Sequence, residues 1–119
     1  MDSLKNIVRE EVLYYDGKGA GLNCLTYAFI DEVRQHYGVI MVPYPYAEHK
    51  NLSIDPIIFV RVVDQCVVVE SDHTYNPFHE RLEKRGVPRD HIILAYQGEP
   101  IPEAAALQPW FDQVKTMRR

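Results

Sequence analysis

The sequence lacks the usual signatures of catalysis and phosphate binding. There is no G-x-x-x-x-G-K or G-x-G-x-x-G cradle, and Ser3, Ser53 and Ser71 sit in no G-x-S-x-G elbow. Cysteine is scarce: Cys24 and Cys66 are the only two in 119 residues, too few for a disulfide scaffold. With no secretory signal peptide, two free thiols acting as small buried hydrophobes in a cytoplasmic chain are expected. The five histidines (36, 49, 73, 79 and 91) form no i,i+4 pair and no H-E-x-x-H, so spacing assigns no metal and no cofactor. No stretch approaches the ~18 apolar residues that would cross a bilayer, so no membrane span is expected. Basic residues are also in deficit. Thirteen Lys and Arg face seventeen Asp and Glu, for a formal charge of −4. The first sixty residues hold five basic and eight acidic side chains, and the remaining fifty-nine hold eight and nine. Neither half offers the basic face that duplex binding draws on, which disfavours direct DNA binding.

The rest is an ordinary globular mixture, 46% hydrophobic and 25% charged, and its length suits a single domain over residues 1–119. Residues Ser3–Tyr15 read as a helix. Leu4, Ile7, Val8, Val12 and Tyr15 share one face, Asp2 or Ser3 can cap it, and Gly17, Gly19 and Gly21 stop it. From Leu22 the period changes. Leu22–Ile30 and Tyr37–Tyr44 are rich in β-branched and aromatic residues and flank the polar segment Asp31–His36, a hairpin pattern. Ile57–Val63 and Cys66–Ser71 form a second hairpin across Asp64-Gln65, although Gln65 stands where such turns prefer Gly. Between the hairpins, Pro43, Pro45 and Pro56 bracket a loop or edge segment holding Tyr44, Tyr46, His49 and Asn51.

Asn76 as cap, Pro77 at the first position, Phe78 and Leu82 on one face and Gly86 as the stop predict a second helix, with Pro88 just beyond. His91–Gln97 reads as a last strand. Trp110–Met117 reads as a short helix with Trp110, Val114 and Met117 on one side. Two features invite a surface role. Glu11 breaks the apolar stripe of the first helix, so it should be solvated or meet a cation such as Arg9, Arg34 or a partner's side chain. Tyr37, Tyr44 and Tyr46 cluster with prolines, and tyrosine suits interfaces as well as cores. Glu11, Tyr37, Tyr44 and Tyr46 are therefore the candidate interface residues.

From Asp64 to Tyr96 the chain resembles the XisI family of fdxN element excision controlling factors. Asp64-Gln-Cys-Val-Val-Val-Glu-Ser-Asp-His-Thr74 is similar to the family's D-G-K-I-W-I-Q-x-D-x-T. Leu82-Glu-Lys-Arg-Gly-Val-Pro88 is similar to E-L-x-x-x-G-V-P, and Arg89–Tyr96 to K-E-D-I-V-L-G-F. Asp64, Asp72, Thr74, Leu82, Gly86, Val87 and Pro88 carry the match. The first helix and the Thr26–Met41 hairpin match more loosely. The chain departs from the pattern at Gln65, at Val68 where Trp is frequent, at Val42–Tyr46 in place of a Gly-Trp segment, at Glu11, and in its longer Trp110-bearing tail.

The resemblance implies an α+β fold: a mainly antiparallel twisted sheet of about five strands, packed with N-terminal and mid-chain helices. It also implies a non-enzymatic accessory protein, with no catalytic residues, that controls excision of a DNA element. Its partner would be a XisH-type, nuclease-like protein or a site-specific recombinase. An inhibitor or antitoxin-like module masking a nuclease is the alternative, and a small enzyme built on Asp72, His73, Thr74 and His79 is a third. A homodimer is compatible with a small domain bearing a mixed apolar and charged face.

Overall fold

The computed structural model describes residues 3–18, 24–44 and 54–117. Helix α1 (Leu4–Leu13) is followed by strands β1 (Cys24–Asp31), β2 (His36–Pro43), β3 (Asp55–Val63) and β4 (Cys66–Asp72). Helix α2 (Phe78–Lys84), the short strand β5 (Ile92–Leu94) and helix α3 (Ala104–Met117) complete the order. The strands form one open sheet in the order β1-β2-β3-β4-β5. Its first three pairings are antiparallel and β4 runs parallel to β5, an α+β arrangement. A parallel pair needs a crossover rather than a hairpin, and α2 supplies it.

Local chemistry sets each element. Ser3 caps α1, its Oγ accepting from the Asn6 N–H at 3.4 Å. Asp64 and Gln65 both take positive φ, 48° and 68°, the backbone of the two-residue turn that matches strand twist. Around Gly86 (φ 95°) the Val87 N–H donates to the Leu82 carbonyl and the Gly86 N–H to that of Glu83. This is a Schellman stop, and buried Val87 packs into the core with Leu82 as such stops favour.

The core lies between the inner face of the sheet and the two helices. Ile7, Val8 and Val12 of α1 and Phe78 and Leu82 of α2 pack with Tyr37, Val39, Ile58, Val60, Val67, Val69, Ile92 and Leu94. On the outer face Gly38 lets the Phe29 ring cross the sheet; a Cβ there would lie 2.2 Å from that ring. Both edges of the sheet are closed locally. Along β1, the Gly17 N–H donates to the Thr26 carbonyl, the Thr26 N–H to that of Lys18, and the Ala28 N–H to Asp16 Oδ1. Along β5, Arg89 donates to the Ile92 carbonyl and Glu99 accepts from the Leu94 N–H.

Several expectations change. Asn76 does not cap α2; its carbonyl accepts from Thr74, and the Phe78 N–H goes to Asp72 instead. The last strand is three residues rather than His91–Gln97, because Arg89–His91 and Ala95–Gln97 coil into single 3₁₀ turns. Helix α3 begins at Ala104, not Trp110, and carries Pro109 inside it. Cys24 and Cys66 are free but half-buried rather than buried. Asp2, Gly19, Gly21, the strand start at Leu22, Pro45, Tyr46, His49 and Asn51 lie outside the described residues.

Candidate functional site

All the motif residues but Asp64 gather on the crossover from β4 through α2 to β5. Asp72 ends β4, and its carboxylate serves several donors. Oδ1 accepts from the Thr74 N–H at 2.9 Å and is within reach of the Thr74 hydroxyl; Oδ2 accepts from the Phe78 N–H at 2.7 Å. The Thr74 hydroxyl can turn instead to the Asn76 carbonyl at 2.7 Å. A negative charge at this helix start also suits the macrodipole. Leu82 is fully buried, Gly86 and Val87 build the stop, and Pro88 leads into the turn before β5. Asp64 sits in the β3–β4 turn. In physical terms Asp72, Thr74, Gly86 and Val87 fix where α2 starts and ends.

The third reading would need His73 or His79 to work with Asp72. Asp72 Oδ1 and Oδ2 accept from the Thr74 and Phe78 N–H groups, His79 Nδ1 lies 2.7 Å from Glu83 Oε2, and the backbone N–H of His73 extends the ladder to the Ile57 carbonyl. Among the described residues no group of three or more His, Cys, Asp or Glu side chains is placed to hold a metal ion.

Glu11 joins the two helices. Its side chain is only 13% exposed, and it accepts from Arg81 Nε at 2.8 Å and Arg85 Nη1 at 2.7 Å. Arg85 also reaches Glu10 at 2.7 Å, and these two carboxylates hold its guanidinium above the ordinary arginine range. The Arg81 guanidinium stacks on Tyr14, 3.9 Å from the ring centre. The cations expected for Glu11 are engaged elsewhere, Arg9 with Glu32 and Arg34 with Asp31.

Tyr37 is not a surface residue. It is fully buried on the inner face of β2, alternating with outward His36 and Gly38, and burial followed by nearby Glu32 raises its hydroxyl pKa. Tyr44 is exposed, and Tyr46 lies outside the described residues. The expected tyrosine surface therefore loses Tyr37.

Two grooves flank the helix pair. One of about 460 Å³ is lined by Tyr14, Tyr75, Glu80, Arg81 and Lys84 among others. The other, about 480 Å³, is bordered by Leu4, Ile7, Gln65, Gly86, Val87 and Pro88, so two motif turns meet there. Sequence reasoning missed this convergence, though both turns lay inside the matched segment.

The XisI protein family model matches residues 2–104. The chain belongs to the XisI family. Two solved structures share the fold. A XisI-like protein from Anabaena variabilis is 20% identical, with 76% of this chain and 81% of that one covered and a TM-score of 0.62. The fdxN element excision controlling factor XisI from the same organism is 21% identical, with 83% and 91% covered and a TM-score of 0.60. Among curated proteins none matches this sequence. The XisI match ends at Ala104, the first residue of α3, so nearly all of that helix lies beyond the matched segment. Among the described residues no helix is long and apolar enough to cross a membrane.

Proposed function

We propose that this chain is a non-enzymatic accessory protein that controls excision of a DNA element by binding a XisH-type, nuclease-like partner. Membership of the XisI family over residues 2–104 carries the reading, and the name of one solved relative, an excision controlling factor, supports it. The use of Asp72, Thr74, Leu82 and Gly86 to build the crossover is consistent with a binding role. The −4 charge suits contact with protein rather than phosphate. The test is an excision assay on a reporter carrying the element, with recombinase and XisH-type protein supplied. Excision should depend on this chain; an excision rate indifferent to its presence overturns the proposal.

The same negative charge favours one second reading, a module that masks the basic cleft of a nuclease. Toxicity of the partner expressed alone, relieved by this chain, would select it; a harmless partner would exclude it.

A further inference from the structure

Helix α3 is amphipathic, and none of its residues is buried against the described part of the chain. Ala104, Leu107, Trp110, Phe111, Val114 and Met117 fall within one stripe at 100° per residue, the spacing of a buried helix face. Yet none of them is buried: Trp110 is 58% and Met117 75% exposed. The outer face of the sheet carries a second apolar surface. Phe29 lies across Gly38 toward Phe59, with ring centres 6.1 Å apart, and His36 meets Phe59 edge-on at 5.6 Å. Tyr27 extends this platform at 45% exposure, and a shallow hollow of about 380 Å³ lies over Phe29, His36, Ile40 and Phe59. Arg61, next to His36 in register on the same face, holds Glu103 at 2.6 Å and so pins the residue just before α3.

We propose that these two surfaces are the two halves of one dimer seat, with α3 of each copy lying on the Tyr27–Phe29–Phe59 platform of a second copy. Three observations favour this occupant. Each chain carries both surfaces, which is the self-complementarity that a closed two-fold pair requires. For side chains of about 150–250 Å² each, the exposed fractions of Leu107, Trp110, Phe111, Met117, Tyr27 and Phe29 offer about 900–1,400 Å² over two reciprocal seats. The upper part of that range reaches the ~1,200–2,000 Å² of stable interfaces, whereas a helix-to-helix contact alone would bury too little. Finally, the alternative of pairing strand to strand is obstructed by the Asp16–Lys18 segment on β1 and by Arg89 and Glu99 on β5.

Trp110 is the only tryptophan in the chain, so its fluorescence reports the seat directly. In the unmodified protein, raising the concentration through the micromolar range should shift Trp110 emission to the blue while light scattering records a dimer. Trp110→Glu and Tyr27→Glu should each weaken association by at least about tenfold. Neither should unfold the chain, because both side chains are exposed. Mixing the two variants restores one seat: Trp110 of the Tyr27→Glu protein should shift to the blue when the Trp110→Glu protein is added. A wild-type chain that stays monomeric overturns the proposal, as does a Tyr27→Glu protein that dimerises like wild type. So does a mixture whose emission matches Tyr27→Glu alone.

Discussion

Asp72→Ala offers the sharpest test of how the motif residues act. The carboxylate satisfies two backbone donors, the N–H groups of Thr74 and Phe78, and one hydroxyl. The hydroxyl has a second acceptor in the Asn76 carbonyl, so it is not orphaned. The Phe78 N–H has no such alternative on its own helix, since the first N–H groups of any helix lack partners, and the residue is fully buried. Losing a capping side chain costs about 1 kcal/mol, and stranding a buried donor adds about 1–2 kcal/mol. Asp72→Ala should therefore destabilise the fold by about 2–3 kcal/mol, a fall of about 10 °C in Tm for a chain this size. Urea unfolding followed by circular dichroism reads the change as a lower midpoint at constant slope. Thr74→Ala should cost less in the Asp72→Ala background than in wild type, because the two share one interaction. An Asp72→Ala protein within about 0.5 kcal/mol of wild type, the range of neutral surface changes, would refute the capping role. If that protein had also lost activity, the carboxylate would be a functional group instead.

Glu11→Leu removes two charge-assisted hydrogen bonds, but Arg85 keeps Glu10 and Arg81 keeps its stack on Tyr14. The expected loss is about 1–2 kcal/mol in a thermal melt, with the oligomeric state by light scattering unchanged. Gln65→Gly relieves a side chain held at φ 68° and should raise the urea midpoint by an amount equivalent to about 1 kcal/mol. The Leu94 N–H first and Arg89 second hold the Glu99 carboxyl below the usual carboxylate range, and Arg61 does the same for Glu103. As pH falls, the unfolded chain protonates these groups before the folded one does, so their stabilisation is full above pH ~4.5 and lost below it. A Tm series from neutral to acid pH should show that decline, and the Glu99→Gln, Glu103→Gln double variant should show less of it.

Much of the scaffold is legible locally. The stripe in α1, the β-branched runs of the two hairpins, and the Gly86 stop of α2 all reflect spacings within a few residues, while Pro77 proves to precede α2 as its N-cap rather than open it. What escapes such reading acts across the chain. Asp72 serves the Phe78 N–H six residues away, in place of an adjacent cap. Glu11 stands out in sequence as misplaced, but Arg81 and Arg85 reach it from 70 and 74 residues away. The parallel pairing of β5 depends on α2 carrying the chain back over the sheet, which no three-residue strand announces. Pro109 reads as a breaker, yet it stands inside α3, a helix none of whose residues is buried. Tyr37 reads as a surface residue from its tyrosine and proline neighbours, whereas the two-residue period of β2 turns it inward.

The proposed function stands most directly on physical association with the partner. The chain and a XisH-type protein can be co-expressed with a tag on one, then resolved by size-exclusion chromatography at micromolar concentration. A single complex peak containing both, retained when Trp110→Glu is introduced, is the expected result. Independent elution of two folded proteins would contradict it.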